Sequence, residues 1–162
     1  LIEIRKVFDR IEQQLRRFSH ELHPAALEDF GLINAIEFLV QGVVERTGLN
    51  VRLEGFHGLC VADPFDTVLY RFIQEALTNV VRHARATNVT IKLQQTTKEL
   101  ACTVLDDGVG FHPGTCSSGM GISGMRQRMK AVGGHISLSS RPGSGAECSA
   151  TIPLNRCMAA AV

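Results

Sequence analysis

Polar residues at helical spacing, followed by an acidic glycine-rich turn, carry the chemistry that this sequence suggests. Glu75 and Asn79 lie four residues apart and Arg82 follows one turn later, so the three share one side of a helix. His83 comes next in the chain, and an Asp-Asp-Gly-Val-Gly turn follows at residues 106–110. Together they offer oxygen ligands for a hard metal ion and an acid beside bare backbone. These are the parts needed to hold a magnesium-bound nucleotide.

The four polar residues of this helix have predicted roles in binding or catalysis. Glu75 and Asn79 are the predicted metal ligands, because Mg²⁺ takes carboxylate and amide oxygens together with water and phosphate oxygens. Glu75 could instead orient or deprotonate a nucleophile, so both roles stay open. Arg82 and His83 carry donor groups suited to phosphate. Taken alone, such side chains are also typical of a solvated helix face.

The glycine-rich segments predict how a nucleotide would be held. Asp106 ends a predicted strand, where its carboxylate can accept a hydrogen bond from an exocyclic amine. Gly108 and Gly110 remove side chains where a flat ring must approach the backbone. Gly119 and Gly121 open a helix, whose free N–H groups and positive dipole end suit a polyphosphate. The order of all these features, more than any one of them, predicts a nucleotide site.

Length and composition indicate one ordinary globular domain. The chain has 162 residues, of which 44% are hydrophobic and 20% charged, and its net charge of +1 gives no reason to invoke nucleic acid or a membrane surface. No apolar run approaches the roughly 20 residues that span a bilayer. The five cysteines form no CxxC pair, so a reducing cytosolic compartment is favoured over a disulfide framework. The chain begins without Met, so it is expected to be a fragment of a longer protein, with room for a sensor or membrane anchor upstream.

The apolar periodicity predicts the elements that position these residues. Asp63 is the expected helix cap before Pro64, and Asp66 favours the positive end of the dipole. Helices and strands alternate in an interleaved order, which predicts an α+β fold, a two-layer α/β sandwich preceded by a helical N-terminal extension. The predicted helices cover residues 2–22, 25–46, 63–81 and 119–132, and the strands cover 51–53, 89–94, 100–105, 135–139 and 148–152.

In combination the motifs resemble those of sensor histidine kinases. Residues 72–84 (Phe-Ile-Gln-Glu-Ala-Leu-Thr-Asn-Val-Val-Arg-His-Ala) resemble the N box of that family, and residues 106–111 and 119–128 resemble its glycine boxes. The Gly-Met-Arg-Gln-Arg run is similar to the branch related to nitrate and desaturase sensors. The resemblance covers about residues 15–154.

The resemblance implies the Bergerat ATP-binding fold, a mixed sheet covered by helices. It places ATP and Mg²⁺ in the site, with Asn79 on the metal, Asp106 on adenine, Ile122 among the nucleotide-binding residues and a mobile lid over residues 111–118. Ala146 departs from the family pattern, because many relatives have Thr there. At this position the resemblance therefore does not support a hydroxyl contact near the adenine, although it still implies the same fold.

Two histidines, His20 and His23, invite assignment as the phosphoacceptor. The residues between His23 and Glu75 are too few for a second long helix before the ATP domain, and Pro24 interrupts the helix. Residues 1–24 instead resemble the second helix of a dimerisation hairpin, with the ATP-binding catalytic domain at 25–156 and a frayed tail at 157–162. The acceptor histidine is then expected upstream, and this chain is expected to bind Mg-ATP without phosphorylating itself.

The family resemblance also implies partners. It predicts a cytoplasmic kinase that is a homodimer at full length, passes its phosphoryl group to an Asp of a response regulator, and meets a membrane only through segments outside this chain. Two alternatives stay open. An anti-sigma-factor-like serine kinase has the same fold, although the helix before Pro24 argues against it. The other is a non-catalytic nucleotide-binding regulatory module.

Overall fold

The computed structural model describes residues 25–55, 61, 63–112 and 120–154. Within those residues every predicted helix and strand is present, with its ends within two residues of the expected positions. In chain order the elements are α1 (Ala25–Thr47), β1 (Asn50–Glu54), α2 (Phe65–Asn79), a π-helical turn (Val80–Ala84), β2 (Asn88–Gln95), β3 (Glu99–Asp106), α3 (Met120–Ala131), β4 (His135–Ser140) and β5 (Ala146–Pro153).

The five strands form one mixed sheet in the order β1-β2-β3-β5-β4. β1 and β2 are parallel, and the other three pairs are antiparallel. The register pairs Asp106, at the end of β3, with Val89 on one side and Ala146 on the other. The sheet thereby places the acidic turn between the start of β2 and the start of β5.

The core lies between one face of the sheet and the helices. Alternate residues of β2 and β3 are buried, and their neighbours point to the other, more exposed face. The apolar stripe of α2 covers the buried face, and Leu69 and Ile73 have no exposed surface at all. Each such side chain contributes about 1.5–3 kcal/mol by leaving water. The predicted α+β two-layer sandwich is confirmed.

Two local features differ from the expectations. Asp63 is not the cap of α2, because Pro64 occupies that position and makes no side-chain capping bond. Asp66, in the first turn as predicted, accepts the N–H of Thr67 instead, so an acid inside the helix satisfies a donor there. Gly31 kinks α1, with φ of 75° and ψ of 170°, values that interrupt the helical ladder.

Several predictions fall outside the described residues. They are the N-terminal helix, His20 and His23, the domain boundary at residue 24, most of the lid at 111–118, Gly119 and the tail at 157–162. In the part of the chain that the structure describes, no helix has both the length and the apolar content needed to cross a bilayer.

Candidate functional site: a nucleotide-sized cavity beside Asp106

A cavity of about 580 Å³ opens between α2, α3 and the sheet. That volume is in the range of small-molecule and cofactor sites. Six residues predicted from the sequence line it: Asn79, His83, Asp106, Gly110, Gly121 and Ile122. The separate sequence motifs therefore meet at one place, although residues 79 and 122 are far apart in the chain.

The end of α2 explains which polar side chains reach the cavity. After Asn79 the helix widens into the π-helical turn, which ends at Arg85 with a left-handed φ of 51°. Asn79 and His83 are four residues apart, at the beginning and near the end of this turn, and both line the cavity. Arg82 is exposed and is not part of the lining among the described residues. The predicted contact of Arg82 with phosphate stays a prediction.

Asp106 supplies an acid in the cavity wall. Its side chain is only 8% exposed, and its Oδ1 accepts the N–H of Gly108 at 2.9 Å. A carboxylate has about four lone-pair sites, so this bond leaves acceptor capacity for a ligand. Most of the neighbouring wall is apolar, including Val104, Met125 and Leu138. The arrangement suits a flat ring that carries one donor group.

The glycines of the acidic turn approach protein backbone. A Cβ on Gly108 would overlap the carbonyl oxygen of Ala84, and the neighbouring Val109 N–H donates to that same oxygen at 2.7 Å. Gly110 has φ of 60°, and a Cβ there would overlap the carbonyl oxygen of Arg141. Gly110 also lines the cavity, whereas Gly108 is buried behind it. Glycine at these two positions therefore lets the acidic turn pack closely against the π-helical turn and against the turn between β4 and β5.

Glu75 lies against the beginning of α3. It is half-buried on α2, and a Cβ on Gly121 would overlap its Oε1. Glycine at position 121 is therefore what lets the acid and the helix terminus come together. Glu75 borders the site without lining the cavity itself among the described residues, and its predicted metal and catalytic roles remain predictions.

Asp107 forms a hydrogen-bonded cluster that sequence reasoning missed. Its carboxylate accepts four hydrogen bonds, from the backbone N–H groups and the side chains of Thr87 and Asn88, at 2.7–2.9 Å. These bonds hold the pKa of Asp107 well below its usual range, with the backbone N–H of Asn88 contributing most. The cluster fastens the beginning of β2 to the turn that follows Asp106.

Asp107→Asn is expected to lower the melting temperature at pH 7 and to have less effect in acid. The folded-state pKa is lowered, so the charged form stabilises the fold above the unfolded pKa of about 3.9, and that stabilisation is lost as the pH falls further. Melting curves of the wild type and the variant at pH 7 and pH 3 test this, with Glu99→Gln as an exposed-acid control. A difference that stays constant with pH would contradict the role of the charge.

The cavity floor comes from β4 and β5, which carried no predicted site residue. Ile136, Leu138, Ala146 and Cys148 line it. Burial raises the pKa of the Cys148 thiol to about 11, so the thiol is neutral at physiological pH and the floor stays apolar. The signal in the sequence was strand alternation, which marks these positions as core without indicating which of them face a cavity.

No cluster of three or more His, Cys, Asp or Glu that could hold a metal ion unaided exists among residues 25–55, 61, 63–112 and 120–154. The two metal ligands predicted from the sequence are Asn79, which lines the cavity, and Glu75, one amide and one carboxylate. Such a sparse oxygen set fits Mg²⁺ shared with phosphate oxygens and water better than a metal held by protein alone.

Solved structures share this fold. The chain superimposes with a TM-score of 0.72 on the histidine kinase AdeS of Acinetobacter baumannii, at 13% identity, covering 96% of this chain and 85% of that one. It also matches the histidine kinase domain of a blue-light activated histidine kinase from Erythrobacter litoralis, with a TM-score of 0.67 and 21% identity over 77% and 66% of the two chains. These matches confirm the expected fold.

Two sensor histidine kinases are more similar to this chain in sequence than those structures are. The sensor histidine kinase MctS of Rhizobium johnstonii is 37% identical over 134 residues, 79% of this chain and 29% of that protein. The sensor histidine kinase ComP of Bacillus subtilis is 32% identical over 158 residues, 95% of this chain and 20% of that protein. The chain thus spans less than a third of the length of either relative.

A family match agrees with both comparisons. Residues 66–156 match the family described as histidine kinase-, DNA gyrase B-, and HSP90-like ATPase. This range contains all of α2 except its first residue, and the acidic turn, α3 and the cavity floor. The chain therefore belongs to that ATPase family, and over 79–95% of its length it is similar to sensor histidine kinases.

Proposed function

We propose that this domain binds Mg-ATP in the cavity beside Asp106 and donates the γ-phosphoryl group to a histidine outside this chain. The observation that carries the proposal is the buried Asp106 carboxylate in the wall of a largely apolar cavity of about 580 Å³. The adenine amine would donate to Asp106, while Ile122 and Met125 on α3 pack against the ring from one side.

The phosphates and Mg²⁺ would lie toward α2 and the beginning of α3. Asn79 offers an amide oxygen to the metal, and Glu75 offers a carboxylate at the rim. The N-terminal N–H groups of α3, near Gly121, and the ring of His83 are suited to phosphate oxygens. Arg82 and Gly119 are retained as contacts proposed from the sequence. When bound, Mg²⁺ neutralises charge on the phosphates.

Glu75 is the proposed catalytic residue. Its carboxylate would accept the N–H proton of the attacking imidazole, whose other nitrogen forms the bond to the γ-phosphorus as the bond to the bridging oxygen breaks and ADP leaves. The close approach of Gly121 holds this acid at the edge of the cavity. Most of the rate enhancement is expected from positioning and charge neutralisation, as is general for phosphoryl transfer.

The acceptor and the partners are proposed from the relatives. MctS and ComP are sensor histidine kinases much longer than this chain. We place the acceptor histidine upstream, residues 1–24 in a dimerisation hairpin and residues 25–156 in the catalytic domain. The full-length protein would be a cytoplasmic homodimeric kinase that phosphorylates an Asp of a response regulator. Both relatives favour this function over the serine-kinase and non-catalytic alternatives.

Titration of ATP with and without Mg²⁺ tests the proposal. The wild type is expected to bind ATP more tightly with Mg²⁺, and Asn79→Ala is expected to lose most of that increment, about tenfold in affinity, because one metal ligand is missing. Binding without Mg²⁺ should change much less. Labelled ATP should leave no acid-labile phosphate on this chain.

Thr78→Ala is the matched control, because the Thr78 hydroxyl donates to the Gln74 carbonyl at 2.8 Å within the helix. It should keep the full Mg²⁺ increment. A wild-type chain that does not bind ATP would refute the proposed function, and an undiminished increment in Asn79→Ala would refute the ligand assignment.

A further inference from the structure

One buried hydroxyl joins three segments behind the nucleotide site. Ser140, the last residue of β4, is only 8% exposed. Its Oγ donates to the carbonyl oxygen of Gly145 at 2.7 Å and accepts the N–H of Phe111 at 2.9 Å. Ser140 thus connects the end of β4, the β4–β5 turn and the chain that leaves the acidic turn.

The neighbouring bonds show what this hydroxyl adds. Backbone hydrogen bonds fasten the acidic turn to the β4–β5 turn: Gly145 N–H to the Gly108 carbonyl at 2.9 Å, and Gly143 N–H to the Val109 carbonyl at 2.7 Å. The next fixed point along the chain is the Phe111 N–H on Ser140. Backbone hydrogen bonds therefore hold the acidic turn as far as Val109, and the Ser140 side chain holds the chain at Phe111.

Phe111 is where this fastening meets the ligand site. It lines the cavity together with Gly110, whereas Ser140 is absent from the lining among the described residues. The Ser140 hydroxyl thus acts on the cavity through the backbone of Phe111. Without it, the Phe111 N–H and the Gly145 carbonyl would both lose a partner in a partly buried place, which is an unfavourable state that the chain can relieve by moving.

We propose that Ser140 is a positioning residue for nucleotide binding, and that its hydroxyl fixes Phe111 so that the cavity wall is already formed before ATP arrives. This inference rests on the proposed function, because it concerns the same cavity. A cavity wall that is already ordered loses less conformational freedom when ATP binds. The Ser140 hydroxyl is therefore expected to increase nucleotide affinity.

Ser140→Ala tests the inference by two measurements on this chain. Hydrogen exchange of the Phe111 amide in the nucleotide-free protein should become about tenfold faster or more, since its acceptor is gone. Affinity for a nonhydrolysable ATP analogue with Mg²⁺ should fall by about five- to tenfold. Ser140→Thr keeps a hydroxyl at the same atom and should restore both values toward the wild type.

The matched control is Ser149→Ala. The Ser149 hydroxyl forms a hydrogen bond with the Thr103 hydroxyl at 3.0 Å between β5 and β3. These two residues are next to the cavity residues Cys148 and Val104, so their side chains lie on the opposite face of the sheet. Its loss should change neither measurement. If Ser140→Ala folds poorly, Ser140→Cys, with a weakly hydrogen-bonding thiol, should give intermediate losses.

The outcomes separate the two proposals. A wild-type chain that binds no ATP analogue overturns the proposed function, and with it the positioning role. If the wild type binds and Ser140→Ala or Ser140→Cys binds equally well, only the positioning role is overturned. Faster Phe111 exchange with unchanged affinity also overturns it, because the hydroxyl would then be structural alone.

Discussion

Asp106→Asn is expected to weaken ATP binding by about 10- to 100-fold while leaving the fold intact. Asn can still accept the Gly108 N–H at Oδ1, so the internal hydrogen bond is kept. Its other terminal group becomes the NH2 of an amide, which is a donor facing the donor of adenine. Losing a hydrogen bond to a charged group costs about 1.5–3 kcal/mol, which gives that range of affinity.

Base selectivity provides a sharper form of the same experiment. Inosine triphosphate has a carbonyl where ATP has the exocyclic amine, so Asp106→Asn should bind it relatively better than the wild type does. Asp107→Asn is the matched control, because the Asp107 carboxylate contacts Thr87 and Asn88. It should change ATP affinity by less than about threefold. If Asp106→Asn kept both the affinity and the preference of the wild type, the adenine assignment would be wrong.

The fold and the outline of the cavity followed from the sequence because both rest on local signals. Apolar pairs at helical spacing determine the buried side of α2, and alternation determines the buried face of β2 and β3. Asn79 and Asp106 stand next to those patterns at element ends, so their placement followed once the elements packed in two layers.

The contributions of β4, β5 and the π-helical turn were not predictable in the same way. Leu138 and Cys148 belong to an ordinary alternating pattern. Such a pattern marks buried positions, and only the three-dimensional structure shows which of them face a cavity. The π-helical turn ends at Ala84, whose carbonyl oxygen accepts the N–H of Val109 in the acidic turn. The residue spacing of a regular helix does not predict a hydrogen bond to a residue so distant in the chain.

Side-chain hydrogen bonds over long sequence separations form the other class that the sequence did not predict. Ser140 bonds Phe111 across 29 positions, and Asp107 bonds Asn88 across 19. Ser and Asp are common in turns for purely local reasons, so their residue types did not distinguish these roles. The sequence indicated that the turns were special, and the structure identifies the backbone groups that each turn holds.

Gly145→Ala is expected to destabilise the domain far more than Gly143→Ala, two residues away in the same turn. Both glycines have left-handed backbone, with φ of 69° and 78°, so alanine carries a similar conformational cost of about 1–2 kcal/mol at either site. A Cβ on Gly143 meets nothing within 4 Å, whereas one on Gly145 would overlap the carbonyl oxygen of Asp106. Relieving that overlap requires a backbone shift, which adds about 1–3 kcal/mol.

The consequence for ATP distinguishes this overlap from a general loss of stability. The group that must move is the backbone of Asp106, so Gly145→Ala should also weaken ATP binding, whereas Gly143→Ala should bind ATP as the wild type does. Urea unfolding gives the free energies, and ATP titration at a temperature where both variants are folded gives the affinities. Equal losses of stability in the two variants would show that the β4–β5 turn does not press on Asp106. A folded Gly145→Ala with full ATP affinity would show that the adenine-binding acid tolerates that displacement.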